Sequence, residues 1–200
     1  MSAVLGPIHQ WMYKKVLTRE ELIGQIINTA EDNNWETAIN GKPLKSFTRE
    51  TFPPIEEVID LSNIHYSLSS LIQGVENRYA ELIVGLLHRD GSRFDLIKDM
   101  VHSFGLDNRI CEGSTLQEAF QAINDILLDG MPCDRAMNIT GSSEKCIAFS
   151  YVSDTHTEYW KKYGGDGDDF YTLRLAFIEG MLENSGHRLQ VVGDRMYELH

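Results

Sequence analysis

The chain has 200 residues, of which 42% are hydrophobic and 24% are charged, which is typical of a globular protein of one domain or of one domain with a helical extension. Its 30 acidic side chains outnumber its 18 basic ones and give a net charge of −12, which repels phosphate backbones and argues against nucleic acid as a partner. No apolar run reaches the roughly 20 residues of a membrane helix, and the N-terminus lacks the pattern of a secretory signal, so we expect no membrane partner.

The N-terminal part of the chain predicts helices. Pro7 suits the first turn of a short helix that ends near Lys15, and Thr18 with Glu21 matches a capping box at the start of a second helix. The segment 35–54 is rich in turn residues and predicts a loop.

The clearest predicted element is a long helix over "SNIHYSLSSLIQGVENRYAELIVGLLHRDG". Its apolar residues recur at helical spacing and form one broad face: Ile64, Leu68, Leu71, Ile72, Val75, Tyr79, Leu82, Ile83 and Leu86. Two shorter helices follow. The first stops at Gly105, and the second opens with a capping box from Ser114 to Gln117 and stops at Gly130.

The character of the sequence changes after residue 130. A Gly-Ser turn joins two predicted strands, and in the second strand Ile147, Phe149 and Tyr151 alternate with smaller side chains. Helices over about 155–163 and 168–184 come next, and "HRLQVVGDRMYELH" predicts two short strands around a Gly-Asp turn. These elements predict an α+β fold, in which a helical region (1–130) packs on a small antiparallel sheet of β-β-α-α-β-β order (131–200) within one compact domain.

The segment "SDTHTEYWKKYGGDGDDFYTLR" contains many chemically active side chains. Its glycines and aspartates fit the end of one helix and the capped start of the next, and Thr155 with Glu158 fits a capping box. One helix face carries four side chains at i, i+3, i+4 and i+7: His156, Tyr159, Trp160 and Tyr163. Such a face is either core or the wall of a ligand site.

Arg174 lies inside the apolar stripe of the following helix, between Phe170 and Phe177. A guanidinium that points inward must be paired, unless its methylenes carry the charge out to solvent. The partner is either an internal carboxylate or a carboxylate or phosphate of a bound ligand, held bidentately. In a ligand site, Trp160 and Tyr159 would form an apolar wall and His156 would be the general acid or base.

Histidines and one cysteine allow a second type of site. His9 and His65 each lie on an apolar helix face, where a hydrogen-bonded core histidine is the ordinary interpretation. If His9, His65 and His156 converged with Cys133, they would instead bind a divalent metal, zinc or iron. Cys133 is either a small core residue or, beside charged neighbours, a reactive thiol and the one candidate nucleophile.

The cysteines and the missing motifs narrow the class of protein. Cys111, Cys133 and Cys146 are few and odd in number, which predicts reduced thiols and a cytoplasmic location. No G-x-S-x-G, Walker, dinucleotide-binding or H-E-x-x-H motif occurs, which argues against the commonest hydrolases, nucleotide-binding proteins and metalloproteases.

Three segments, "CIAFSYVSDTHTEYW", "YTLRLAFIEGMLENSGHRLQ" and "GDRMYEL", together resemble the L-2-amino-thiazoline-4-carboxylic acid hydrolase-like family over roughly 80 residues. The resemblance implies a β-hairpin, helices and a closing hairpin, with hydrolase-like activity at a pocket suited to a small carboxylate-bearing compound. The family carries cysteines after the second strand and after the final Gly-Asp, where this chain has Asp154 and Tyr197. The architecture and the pocket are therefore what the resemblance transfers.

Three functions are compatible with the sequence. The first is a small-molecule-binding protein, extending to a hydrolase-like enzyme, in which Arg174 binds a ligand carboxylate and His156 with Cys133 performs the chemistry. The second is a protein that binds a metal through His and Cys ligands. The third is a non-catalytic interaction module. Exposed apolar helix surface favours a homodimer.

Overall fold

A computed structural model describes the protein over residues 5–49 and 51–200. Within these residues the chain forms seven α-helices: α1 (Pro7–Asp32), α2 (Ile55–Val58), α3 (Ile64–Arg89), α4 (Arg93–Asp107), α5 (Leu116–Ile126), α6 (Thr157–Lys162) and α7 (Gly167–Leu182). Short 3-10 helices cover Leu44–Phe47 and Pro132–Asp134.

The strands form two antiparallel sheets. They are β1 (Ala38–Ile39), β2 (Lys42–Pro43), β3 (Met137–Ser142), β4 (Ile147–Tyr151), β5 (Leu189–Gly193) and β6 (Met196–Leu199). One sheet is the β1-β2 pair, and the other has the strand order β3-β4-β6-β5. The predicted α+β class with an antiparallel sheet is confirmed, whereas the β1-β2 pair and this strand order are details that the sequence did not predict.

The chain divides into two compact units. The first contains the described residues up to Phe94 together with Glu158–Gly165, and the second contains Asp95–Thr157 and Asp166–His200. None of the helices in the described part of the chain is long and apolar enough to cross a membrane.

The first unit is built on the long helices α1 and α3, which pack against each other. The prediction of two helices before residue 33 was wrong, because α1 is continuous. Thr18 does not cap a helix; its hydroxyl donates to the carbonyl of Lys14 at 3.2 Å inside α1. Met12, Val16 and Ile23 are all buried, and this apolar face continues through the predicted break.

The predicted long helix is confirmed as α3. The side chain of Asn63 caps it by accepting a hydrogen bond from the backbone N–H of Tyr66 at 3.3 Å. Most of its predicted apolar face is buried: Leu68, Ile72, Val75, Tyr79, Leu82, Ile83 and Leu86. The predicted loop after α1 contains β1, β2 and a 3-10 helix, whose Leu44 and Phe47 are buried.

The second unit places its helices on one face of the four-stranded sheet. That face carries the buried side chains Ile147, Phe149, Tyr197 and Leu199, and α5 and α7 contact β4 and β5 respectively. The alternation predicted for β4 is confirmed for Ile147 and Phe149, which are buried, and β6 alternates in the same way.

Helices α4 and α7 cross at two glycines. A Cβ at Gly105 would overlap the carbonyl oxygen of Phe177, and one at Gly180 would overlap the carbonyl oxygen of His102. The prediction that Gly105 ends a helix was therefore wrong, because this glycine lies within α4 and permits close backbone packing. The capping box of α5 also lies one residue later than predicted, at Thr115 and Glu118.

Candidate functional site: a buried polar cluster around Arg174

Four polar side chains meet beneath the sheet of the second unit, and we call them the Arg174 cluster. Asp129 follows α5, immediately before the left-handed Gly130. Tyr151 ends β4, His156 precedes α6, and Arg174 lies in the middle of α7. The cluster is thus assembled from segments that are distant in sequence.

Arg174 is paired with an internal carboxylate. Its Nη1 and Nη2 atoms donate to the two oxygens of Asp129 at 2.5 and 2.8 Å, and Nη2 also donates to the hydroxyl of Tyr151. The guanidinium carbon lies 4.0 Å from the centre of the Tyr151 ring. The side chains of Arg174 and Asp129 are only 4% and 17% exposed, so this bidentate pair is largely shielded from water.

One nitrogen of this guanidinium has no hydrogen-bond partner. The Nε–H of Arg174 is buried and has no acceptor among the residues described. Leaving a buried donor unsatisfied typically costs about 1–3 kcal/mol. The guanidinium is therefore fixed in position by Asp129 and Tyr151 while its Nε–H stays unused.

His156 is bound to the same carboxylate. Its Nε2 atom lies 3.2 Å from Oδ1 of Asp129, and its ring stacks on Phe170 with the centroids 3.8 Å apart. The side chain is buried, with 2% exposed. His156 is therefore held between the carboxylate of Asp129 and the ring of Phe170.

The electrostatics of the cluster keep its pair ionised. Burial by itself would raise the pKa of the Asp129 carboxyl, but the charge of Arg174 and the hydrogen bonds from His156 and Arg174 hold this pKa well below its ordinary value. Burial raises the pKa of the Tyr151 hydroxyl far above its ordinary value despite the nearby charge of Arg174. The cluster therefore contains one carboxylate, one guanidinium and a neutral phenol.

A second ion pair flanks the cluster. Oδ2 of Asp154 lies 2.8 Å from Nη1 of Arg195, and the hydroxyl of Tyr171 donates to Oδ1 of Asp154 at 3.0 Å. The guanidinium of Arg195 lies 4.3 Å from the centre of the Tyr171 ring. Both charged side chains are 26% exposed, so this pair reaches solvent.

Asp154 also fixes the backbone next to His156. Its Oδ1 atom accepts hydrogen bonds from the backbone N–H groups of His156 and Thr157, both at 2.9 Å. Burial would raise the pKa of this carboxyl, but hydrogen bonds from Thr157, His156 and Tyr171 hold it well below its ordinary value. Asp154, rather than the predicted Thr155, caps the start of α6.

The two aromatic residues predicted to form the wall of a ligand site, Trp160 and Tyr159, belong to the first unit, whereas the Arg174 cluster belongs to the second. Trp160 is fully buried in the first unit, where its ring packs edge-to-face on Tyr79 with centroids 6.1 Å apart. Tyr159 is half-buried in the same unit. Within the second unit, rings that contact the cluster or flank it include Phe149, Tyr151, Phe170, Tyr171 and Tyr197. The role of Trp160 and Tyr159 as a ligand wall stays a prediction.

The remaining predicted site residues lie in separate segments. His9 starts α1, where its Nδ1 atom accepts a hydrogen bond from the backbone N–H of Gly6 at 2.8 Å. His65 is exposed in the first turn of α3, and Cys133 is exposed in the 3-10 helix after Gly130. His9 and His65 belong to the first unit, and His156 and Cys133 to the second. Their joint metal site stays a prediction.

Sequence reasoning found Arg174 and His156 but missed their partner, Asp129. The one local signal for it is the "LLDG" segment after α5, where an acidic residue directly precedes a left-handed glycine after an apolar run. Two cavities lie elsewhere, one of about 560 Å³ beside Trp35 and one of about 460 Å³ beside Ile110, and neither is lined by the cluster.

Comparison with known proteins adds no relative from which a role could be transferred. No protein-family model, curated protein sequence or solved structure matches the chain. The chemistry of the Arg174 cluster is therefore the basis on which a function is proposed.

Proposed function

We propose that the protein binds a small carboxylate-bearing molecule at the Arg174 cluster. The observation that carries this proposal is the buried Nε–H of Arg174, a charged donor without an acceptor among the described residues. A ligand oxygen at this position would satisfy the donor, and hydrogen bonds that involve a charged group are among the stronger ones in proteins.

The charges around the cluster are balanced before any ligand binds. Arg174 is neutralised by Asp129 and Arg195 by Asp154, so the unused Nε–H of Arg174, rather than a net positive charge, would select a ligand oxygen. The charges of Arg174 and Arg195 both act on the hydroxyl of Tyr197, lowering its pKa against the larger, raising effect of burial. Two arginines thus act on the same tyrosine.

The family resemblance supports the same location. Asp154 and Tyr197 stand where the hydrolase-like family carries cysteines. Asp154 binds the backbone of His156, and the ring of Tyr197 lies 6.0 Å from that of Tyr151. In the hydrolase-like version of this proposal, His156 is the general acid or base and the exposed Cys133 is the nucleophile.

The test is a binding screen with a variant that removes the unused donor. In Arg174→Lys the positive charge opposite Asp129 is kept, but the Nε–H is lost. The matched control is Arg78→Lys, because Arg78 also forms a part-buried pair with a carboxylate, that of Glu20, yet its Nε already donates to the carbonyl of Phe47 at 2.9 Å.

The probes are small aliphatic and heterocyclic monocarboxylates, each compared with its primary amide, in thermal-shift and calorimetric titrations. We expect at least one carboxylate, but not its amide, to bind the unmodified protein and the Arg78→Lys variant, with binding lost in Arg174→Lys. Equal binding by Arg174→Lys, or no carboxylate binding to the unmodified protein, would contradict the proposal.

The expected homodimer and cytoplasmic location stay predictions. Apolar side chains that are about half exposed in the described residues include Ile8, Leu61 and Leu96. The native mass of the purified protein measures whether copies of the chain associate through such surfaces.

A further inference from the structure

A second group of reactive side chains lies on the opposite face of the same sheet. It consists of Cys146, Glu198 and His200, and we call it the edge trio. Their ligand atoms, the thiol sulfur, a carboxylate oxygen and an imidazole nitrogen, all lie within 4.8 Å of one another. Among the described residues, this is the one group of three or more Cys, His, Asp and Glu side chains with that spacing.

Strand register explains why these three side chains meet. In the antiparallel ladder of β4 and β6, Ile147 pairs with Leu199 and Ala148 with Glu198, so Cys146 comes opposite His200. Side chains alternate between faces along a strand, which places Glu198, His200 and Cys146 on one face. Ile147 and Leu199 point to the other face, where both are buried.

The backbone around the trio is held on both sides. Arg188 and His200 exchange two backbone hydrogen bonds of 2.9 Å each, which extends the pairing of β5 with β6. The backbone N–H of Cys146 donates to the hydroxyl of Ser143 at 3.0 Å, and its carbonyl accepts from the N–H of Ser143 at 2.8 Å. The ligand positions therefore rest on paired backbone.

The side chains are open to solvent yet already close together. The Nε2 atom of His200 lies 3.2 Å from Oε2 of Glu198, and these side chains are 28% and 36% exposed. Cys146 is a half-buried free thiol. An ion could enter from solvent and replace the His–Glu hydrogen bond with two metal–ligand bonds.

We propose that the edge trio is a zinc site. Sulfur, nitrogen and carboxylate oxygen are the donors that zinc uses in proteins, whereas calcium and magnesium prefer oxygen alone. A thiolate and a carboxylate together neutralise the two charges of the ion. Three protein ligands leave the fourth tetrahedral position to water or a small ligand. This site is independent of the Arg174 cluster and uses none of its residues.

The test uses the full chain without an affinity tag, stripped of metal by a chelator and kept reduced. Cobalt(II) is the spectroscopic probe, since a tetrahedral cobalt site with a thiolate ligand gives visible ligand-field bands and a near-ultraviolet sulfur-to-metal band. We expect one equivalent of cobalt to produce both, and one equivalent of zinc to displace it. Zinc should also raise the melting temperature, because it binds the folded state.

Variants assign the ligands. Cys146→Ser should abolish the sulfur-to-metal band, and Glu198→Gln and His200→Gln should each weaken zinc binding by more than about 100-fold, because even outer-shell partners of a metal typically contribute 10–100-fold. The controls are Cys111→Ser and Cys133→Ser, which change exposed thiols outside the trio, and His102→Gln, which changes another His–Glu pair.

These experiments distinguish metal binding at the edge trio from metal binding at the other cysteines. The site is supported if Cys146→Ser loses the sulfur-to-metal band and Glu198→Gln and His200→Gln bind zinc more weakly, while the controls do not change and the circular dichroism of all metal-free proteins is the same. A sulfur-to-metal band that persists in Cys146→Ser but disappears in Cys111→Ser or Cys133→Ser would overturn it. So would the absence of stoichiometric cobalt or zinc binding by the unmodified, reduced protein.

Discussion

Replacing Asp129 with asparagine should destabilise the second unit strongly, because it leaves the guanidinium of Arg174 buried without its counter-charge. The two side chains are 4% and 17% exposed, so water can compensate little of the loss. Removing one partner of a buried ion pair typically costs about 3–5 kcal/mol. Asparagine keeps one carbonyl oxygen as an acceptor, so we expect the lower end of this range, about 3 kcal/mol.

This loss is large enough to measure by thermal or urea unfolding. For a chain of this length, about 3 kcal/mol corresponds to a fall in melting temperature of about 6–12 °C. The control is the double variant Asp129→Asn with Arg174→Met, which removes both charges. Its loss in unfolding free energy should be smaller than the sum of the two single losses by more than about 1 kcal/mol, because neither charge is left buried alone.

The pH dependence gives an independent check. The folded-state pKa of Asp129 lies well below its ordinary value, so its ionisation stabilises the fold above the unfolded pKa of about 3.9, and this contribution is lost as the pH falls further toward the folded value. The difference in unfolding free energy between the unmodified protein and Asp129→Asn should therefore shrink as the pH falls below about 4.

Two results would refute this reasoning. One is a loss below about 1 kcal/mol for Asp129→Asn, which is typical of a solvent-screened surface pair rather than a buried one. The other is a difference in unfolding free energy that stays the same between pH 7 and pH 3, because the Asp129 carboxyl would then not be held ionised by Arg174.

Two further predictions concern helix packing and capping. Gly105→Ala should lower the free energy of unfolding by about 1–3 kcal/mol, because its Cβ would overlap the carbonyl oxygen of Phe177 and push α4 from α7. The control Gly24→Ala lies inside α1 with no atom within 4 Å of its Cβ and should stabilise by up to about 1 kcal/mol; equal effects in urea unfolding would disprove the close-crossing role. Thr115→Ala should cost about 1 kcal/mol, because it removes the capping box with Glu118, whereas Ser114→Ala should cost less, since that hydroxyl donates only to the carbonyl of Cys111. The reverse order of the two losses would place the cap at Ser114.

Local patterns in the sequence were sufficient for several elements. The broad apolar face of α3, the left-handed Gly164 and the cap at Asp166, which accepts from the N–H of Asp168 at 3.0 Å, were all predicted correctly. The closing hairpin of β5 and β6 was also predicted correctly. Each depends on neighbours within a few residues, and such short-range interactions are encoded by periodicity and turn chemistry.

Local patterns gave wrong predictions where the same residue pattern is compatible with two different local structures. The Thr18–Glu21 pattern matches a capping box, yet both residue types are tolerated inside a helix, and the continuous buried face of α1 decided the outcome. Gly105 matches a helix stop, but the crossing of α4 with α7 requires a glycine within the helix.

The α+β class, the positions of most helices and strands, and the need of an inward-facing Arg174 for a partner all follow from the amino-acid sequence. The identity of that partner follows from the fold, because Asp129 lies 45 residues away and reaches Arg174 through the packing of α5 against α7. The edge trio likewise joins Cys146 to residues on β6 solely through strand register. Burial makes the pairing of Asp129 with Arg174 energetically decisive. In neither case are the partners neighbours in the sequence, so local patterns do not identify which residues meet.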